Sequence, residues 1–105
     1  MKGLIVEGPP NRAFVLELAR RLRASVKVRM AGRGWRKIAA YVRELLTSGC
    51  DKVMVLLDSH CSDPEAWLRF ISEKLRQQGL GQYIDGGRLR LCAVVHALEA
   101  WLLAD

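Results

Sequence analysis

The run Val53-Met54-Val55-Leu56-Leu57, closed by Asp58, constrains the fold more than any other part of this chain. A strand that is apolar on both faces needs cover on both sides, which is the situation of a central strand in a parallel sheet flanked by helices. The rest of the sequence alternates in the same sense. Residues 3–6 are a short apolar run ending in Glu7-Gly8-Pro9-Pro10, a buried strand closed by a turn. Pro10 suits a first helical turn, and Phe14, Val15, Leu18, Ala19 and Leu22 then recur at helical spacing. In residues 25–30, Val26, Val28 and Met30 alternate with Lys27 and Arg29, which predicts a half-exposed strand towards an edge of the sheet.

After the loop Ala31-Gly32-Arg33-Gly34, the stripe Trp35, Ile38, Ala39, Val42, Leu45 and Leu46 predicts a second amphipathic helix, ended near Ser48-Gly49. Ser62-Asp63-Pro64-Glu65 is a helix start, with Trp67, Leu68, Ile71 and Leu75 as the inner stripe and Gln78-Gly79 as the end. Asp85-Gly86-Gly87 reads as a turn, residues 89–95 as a fourth strand, and residues 96–105 as the start of a last helix. The order β-α-β-α-β-α-β-α predicts an α/β fold, a four-stranded, mainly parallel sheet with helices on both faces in a Rossmann-like three-layer arrangement. One domain over residues 1–105 is expected, and the short final helix leaves room for a C-terminal extension.

Composition narrows the function classes. Half of the 105 residues are apolar, enough for one core. No stretch approaches the roughly 20 apolar residues that span a bilayer, and the apolar start stops at Glu7, far short of a secretory leader, so the expectation is a cytoplasmic protein with no membrane partner. Three cysteines, Cys50, Cys61 and Cys92, lack C-x-x-C spacing, which points away from a disulfide framework or a zinc ribbon. Net charge is +6, and between Glu17 and Glu44 nine basic residues stand without an acid. Such a segment attracts phosphate backbones, or is simply a solvated basic face. No Walker A loop, nucleophile elbow or dinucleotide fingerprint is present, against a nucleotide-driven motor or a dehydrogenase.

Open parallel sheets bind ligands at the carboxyl ends of their strands. Glu7 follows the first strand and Asp58 the third, and the two converge if those strands are neighbours. Carboxylates with open positions hold Mg²⁺ or Mn²⁺, which can polarise a phosphoryl oxygen and activate a water. A lone acid after a strand is more often a helix cap or turn former. Asp63 and Glu65 fit the start of the third helix better than a metal site. Glu99, amid Leu98, Trp101, Leu102 and Leu103, needs a partner or a metal if buried. Trp35, Trp67 and Trp101 fall on apolar stripes, where core packing is the default.

Three pieces in order, Val6-Glu7-Gly8, Leu57-Asp58-Ser59-His60 and Leu98-Glu99-Ala100-Trp101-Leu102-Leu103-Ala104-Asp105, resemble the Toprim domain over nearly the whole chain. That domain is shared by topoisomerases, bacterial-type primases, OLD nucleases and small RNA-maturation nucleases. The last piece resembles an uncharacterised bacterial and archaeal Toprim-like family related to OLD-type nucleases. The resemblance implies Glu7 as metal ligand or general acid/base, Asp58 as metal ligand, and Glu99 as a third site residue. The family's second aspartate is replaced by His60, a neutral ligand better suited to Mn²⁺, Zn²⁺ or Fe²⁺ than to Mg²⁺. An acid often found three residues after the Glu-Gly pair is Asn11 here.

Two functions are therefore expected. The first is a metal-dependent, nuclease-type phosphodiesterase, with Glu7, Asp58, His60 and Glu99 around Mg²⁺ or Mn²⁺ and with Arg29, Arg33, Arg36 and Lys37 guiding DNA or RNA. The alternative, favoured by His60 and Asn11, is a non-catalytic module with a degenerate metal site that binds nucleic acid or docks a partner such as an ATPase. A homodimer through residues 25–30 or the last helix is a further expectation.

Overall fold

The computed structural model describes residues 1–32, 34–57, 63–93, 101 and 102. Among them, β1 (Lys2–Val6), β2 (Val26–Met30), β3 (Lys52–Leu56) and β4 (Leu89–Cys92) form one all-parallel sheet in the order β2-β1-β3-β4. The helices are α1 (Pro9–Arg21), α2 (Trp35–Thr47), α3 (Pro64–Leu75) and the short α4 (Gly81–Asp85). No helix of the described residues is long and apolar enough to cross a membrane.

Strand order decides where each helix lies. The chain moves one way along the sheet from β1 to β2, then the other way from β2 to β3 and on to β4. Because parallel crossovers are right-handed, a reversal of direction puts the connecting helix on the opposite face. On one face Ile38, Ala39, Val42 and Leu45 of α2 and Ile71 and Leu75 of α3 pack on Ile5, Val53, Val55, Leu57 and Leu89. On the other, Val15 of α1 joins Trp101 and Leu102 over Leu4, Val6, Met54 and Leu56. This is the three-layer α/β arrangement that the apolar pattern predicts.

Both central strands, β1 and β3, are buried from their second residue onward, whereas β2 at one edge is half-buried and ends in an exposed Met30. Lys27 and Arg29 on β2 reach α2, where Lys27 Nζ donates to the Ser48 carbonyl at 3.3 Å and Arg29 Nε to Glu44 Oε1 at 2.6 Å. Charges on an edge strand also discourage a second copy from adding to it. Lys2 Nζ donates to the carbonyls of Trp101 at 2.7 Å and Leu102 at 3.1 Å, which ties the last described residues to the start of β1.

Two local expectations change. Phe14 is 47% exposed, so the inner stripe of α1 is carried by Val15 and Ala19 with Leu18 and Leu22 at its margin. Beyond α3 the chain makes one wide π turn, Arg76–Leu80, in which Gly79 at φ +82° turns the backbone left-handed, and it then forms α4. The fourth strand is described over Leu89–Cys92; of the rest of the predicted span, residues 94 and 95 lie outside the described residues, as do residues 96–100 of the predicted last helix. Trp101 and Leu102 are helical.

Gly3 is where α2 settles closest on β1. A Cβ there would stand 3.0 Å from Leu45 Cδ1 and 3.2 Å from Cys50 Sγ. Gly3→Ala is expected to lower stability by about 1–3 kcal/mol through overpacking, read as a lower urea midpoint with an unchanged slope. Arg76 and Asp85 close the π turn with hydrogen bonds of 2.9 and 3.3 Å, which lower the Asp85 pKa and raise that of Arg76. A carboxylate whose folded pKa is depressed adds stability above its unfolded pKa and loses it as pH falls through the folded value. Asp85→Asn should therefore lower the melting temperature at neutral pH and low salt, with the difference vanishing below the carboxylate range and shrinking at high salt.

Candidate functional site

Glu7 is the residue immediately after β1, and at 7% exposure it is buried. Register pairs Val6 with Leu56, so Glu7 and Leu57 leave adjacent strands at one level. The next residue along from Leu57 is Asp58, which lies outside the described residues together with His60, Glu99 and Arg33. The condition for convergence, that the first and third strands be neighbours, is met.

The same pairing is where the sheet's connections part. From β1 the chain departs towards β2 and from β3 towards β4, on opposite faces. In open α/β sheets the general ligand position is at the carboxyl ends of the strands where the connections part in this way. Glu7 is the residue that follows β1 at that end.

The surroundings of Glu7 separate charge recognition by backbone from recognition by side chains. A helix N-terminus following the first strand ordinarily offers free N–H groups to an anion. Here α1 opens with Pro9 and Pro10, which have no N–H to give, and no acidic or hydroxyl side chain caps it. Gly8 before them has φ −143°, which any residue adopts, and among the described residues a Cβ there would meet only Pro10 Cδ at 3.8 Å. The turn thus supplies few backbone donors to an anion. A carboxylate beside it suits a hard cation better than it suits a phosphate directly.

Trp67, in the first turn of α3, donates from Nε1 to Glu7 Oε1 at 3.2 Å. An indole N–H fixes the carboxylate's orientation without cancelling its charge. Core packing is the sequence default for Trp67, and the half-buried ring does pack against the core, with its polar edge meeting Glu7 in addition. Asp63 caps α3, accepting from the Ala66 N–H at 3.1 Å, and Glu65 sits in the first turn, as helix-start residues do. Among the described residues no three His, Cys, Asp or Glu side chains gather. Cys50 is buried in the core.

The basic run does not form a single surface. Arg20 and Arg21 lie on α1 and pair with Glu17 at 2.7 and 3.0 Å, which holds the Glu17 carboxyl down at about 2. Arg29 is engaged by Glu44 on the opposite layer, and Arg43 donates to the Gln78 carbonyl at 2.6 Å. Arg36 and Lys37 are exposed in the first turn of α2, which begins just after β2 ends level with Val6. No acid shares that turn, and the helix dipole adds to the positive potential. Arg36 and Lys37 thus lie towards the carboxyl end of the sheet, and Arg33 lies outside the described residues. Elsewhere, a cleft of about 450 Å³ runs along β4, lined mainly by apolar groups with Arg69, Ser72 and Arg90, and Glu7 is not part of it.

Comparison with protein-family models, curated proteins and solved structures gave no match.

Trp67→Phe keeps an aromatic side chain but removes the donor to a buried carboxylate together with part of the indole's packing. The expected loss of stability is about 1–3 kcal/mol in urea denaturation, and in a Glu7→Ala background the same substitution should cost less, the difference reporting the coupling between the two residues.

Proposed function

We propose that this chain is a Toprim-like, metal-dependent phosphodiesterase of the nuclease type, acting on nucleic acid in the cytoplasm. The observation that supports it most is a buried carboxylate, Glu7, at the carboxyl end of a central strand where the sheet's connections diverge. Glu7 and Asp58 would hold Mg²⁺ or Mn²⁺, with His60 and Glu99 completing the set. A divalent ion bound there supplies Lewis-acid polarisation of a phosphoryl oxygen and a water of lowered pKa. The chain's own groups orient and position. Trp67 holds Glu7 in one orientation, and Arg36 and Lys37 draw the nucleic-acid backbone towards the strand ends. Arg29, tied to Glu44, contributes less to that attraction.

A second reading is favoured by the sequence at the same positions. With His60 and Asn11 where the Toprim pattern has acids, the set carries less negative charge, and a nucleic-acid-binding module without catalysis follows. Titration calorimetry with Mn²⁺ and Mg²⁺ separates the two, comparing the wild type with a Glu7→Ala/Asp58→Ala double variant. Metal binding by the wild type that is lost in a folded double variant is expected. A folded wild type that binds neither ion would overturn the catalytic reading, and salt-sensitive nucleic-acid binding unaffected by chelation would then identify the module.

A further inference from the structure

Beside Glu7, one flank of α3 carries rings and cations in alternation. Trp67, Phe70 and Lys74 follow one another at i, i+3 and i+7, a single stripe along the helix. The Trp67 and Phe70 rings are nearly parallel, 14° apart, with centroids separated by 5.6 Å, an offset stack. Lys74 Nζ lies 5.6 Å from the Phe70 centroid and 5.5 Å from that of Trp35 on α2, and the Arg36 guanidinium stands 4.9 Å from the other end of the array, over Trp35. A continuous path of π faces and positive charge therefore runs from the exposed start of α2 to the indole that touches Glu7.

Packing does not account for the whole path. Ile71 and Leu75 are the fully buried residues of α3, and Leu68 completes the inner stripe. Phe70 adds little to that core, since it leaves 44% of its surface to solvent. Interleaved rings and cations match one ligand chemistry well: flat, polarisable bases joined by a phosphate backbone. In a duplex the faces of the bases are already stacked and only their edges are available, so such a surface is useful only to unpaired bases.

We propose that the array Trp67–Phe70–Lys74–Trp35–Arg36 is a stacking surface for unpaired bases, so that the nucleic acid presented to the Glu7 end of the sheet is single-stranded. Phe70 offers a half-exposed ring stacked on Trp67, and the Lys74 chain, which lies over that ring, swings aside to join Arg36 in neutralising the backbone as a base takes its place. This deepens the nucleic-acid reading above and does not depend on the metal.

The test is fluorescence anisotropy with labelled oligothymidylate and oligouridylate of about 12 nucleotides, within the usual span of such sites, against a duplex of equal length, in EDTA and at fixed salt. Tryptophan fluorescence is followed in parallel. The expected result is binding of a single strand in preference to the duplex, with tryptophan quenching, weakened on the order of 10-fold by Phe70→Ala and largely kept by Phe70→Tyr. Because Phe70 lies outside the buried stripe of α3, both variants should stay folded, with Phe70→Ala melting slightly below the wild type for the lost stack on Trp67. Glu7→Gln should bind the single strand normally, so a failed metal titration would leave this result standing, and the reverse holds too. Equal affinity for duplex and single strand, or unchanged affinity in a folded Phe70→Ala variant, would overturn the proposal.

Discussion

Everything else in this molecule is arranged around the pairing of β1 with β3. Each has apolar side chains on both faces, so neither can be stable without a layer above and a layer below. The pairing also brings together two strands whose onward connections depart in opposite directions, which forces α1 to one face and α2 and α3 to the other. The same hydrophobic demand that specifies the layers thus fixes the carboxyl end where these connections part, and the chain buries a polar residue, Glu7, there.

Much of this was legible in the residues. Continuous apolar runs marked β1 and β3, the alternation of Val26 and Val28 with Lys27 and Arg29 marked an edge strand, and the 3.6-residue stripe of Ile38, Ala39, Val42 and Leu45 marked the buried side of α2. These signals are strong because each reports burial directly. Where burial is partial the signal weakens. Phe14 falls at the right spacing for the core and is exposed, because α1 meets the sheet along a narrow line through Val15 and Ala19. The turn after α3 and the five-residue α4 are too short to show any period.

The site divides in the same way. Glu7 could be picked out by position, since an acid directly after a buried strand is conspicuous. Trp67 could not: a tryptophan on an apolar stripe reads as core, and only the fold shows its N–H turned to a carboxylate sixty residues earlier in the chain. The basic run misled differently. Continuous in sequence, it is distributed by the α-β alternation over both faces and an edge, and the acids that bracket it, Glu17 and Glu44, reach in to pair with three of its members. Charge patterning along a chain predicts a surface only when the segment stays on one element. Arg36 and Lys37, which do, are the pair that remains in the first turn of α2 with no acid beside them.

The register of β1 has a kinetic consequence. Its neighbours are β2 and, about fifty residues away along the chain, β3, so the centre of the sheet is a long-range contact that closes a large loop before any of its burial is gained. The β1-α1-β2 unit forms from nearby residues but leaves one side of β1 open, with unpaired backbone groups and the apolar surface of Ile5 uncovered. Until β3 arrives, that open side is the most adhesive part of the molecule, and the speed of its closure sets how long a newly made chain is vulnerable to sticking to another.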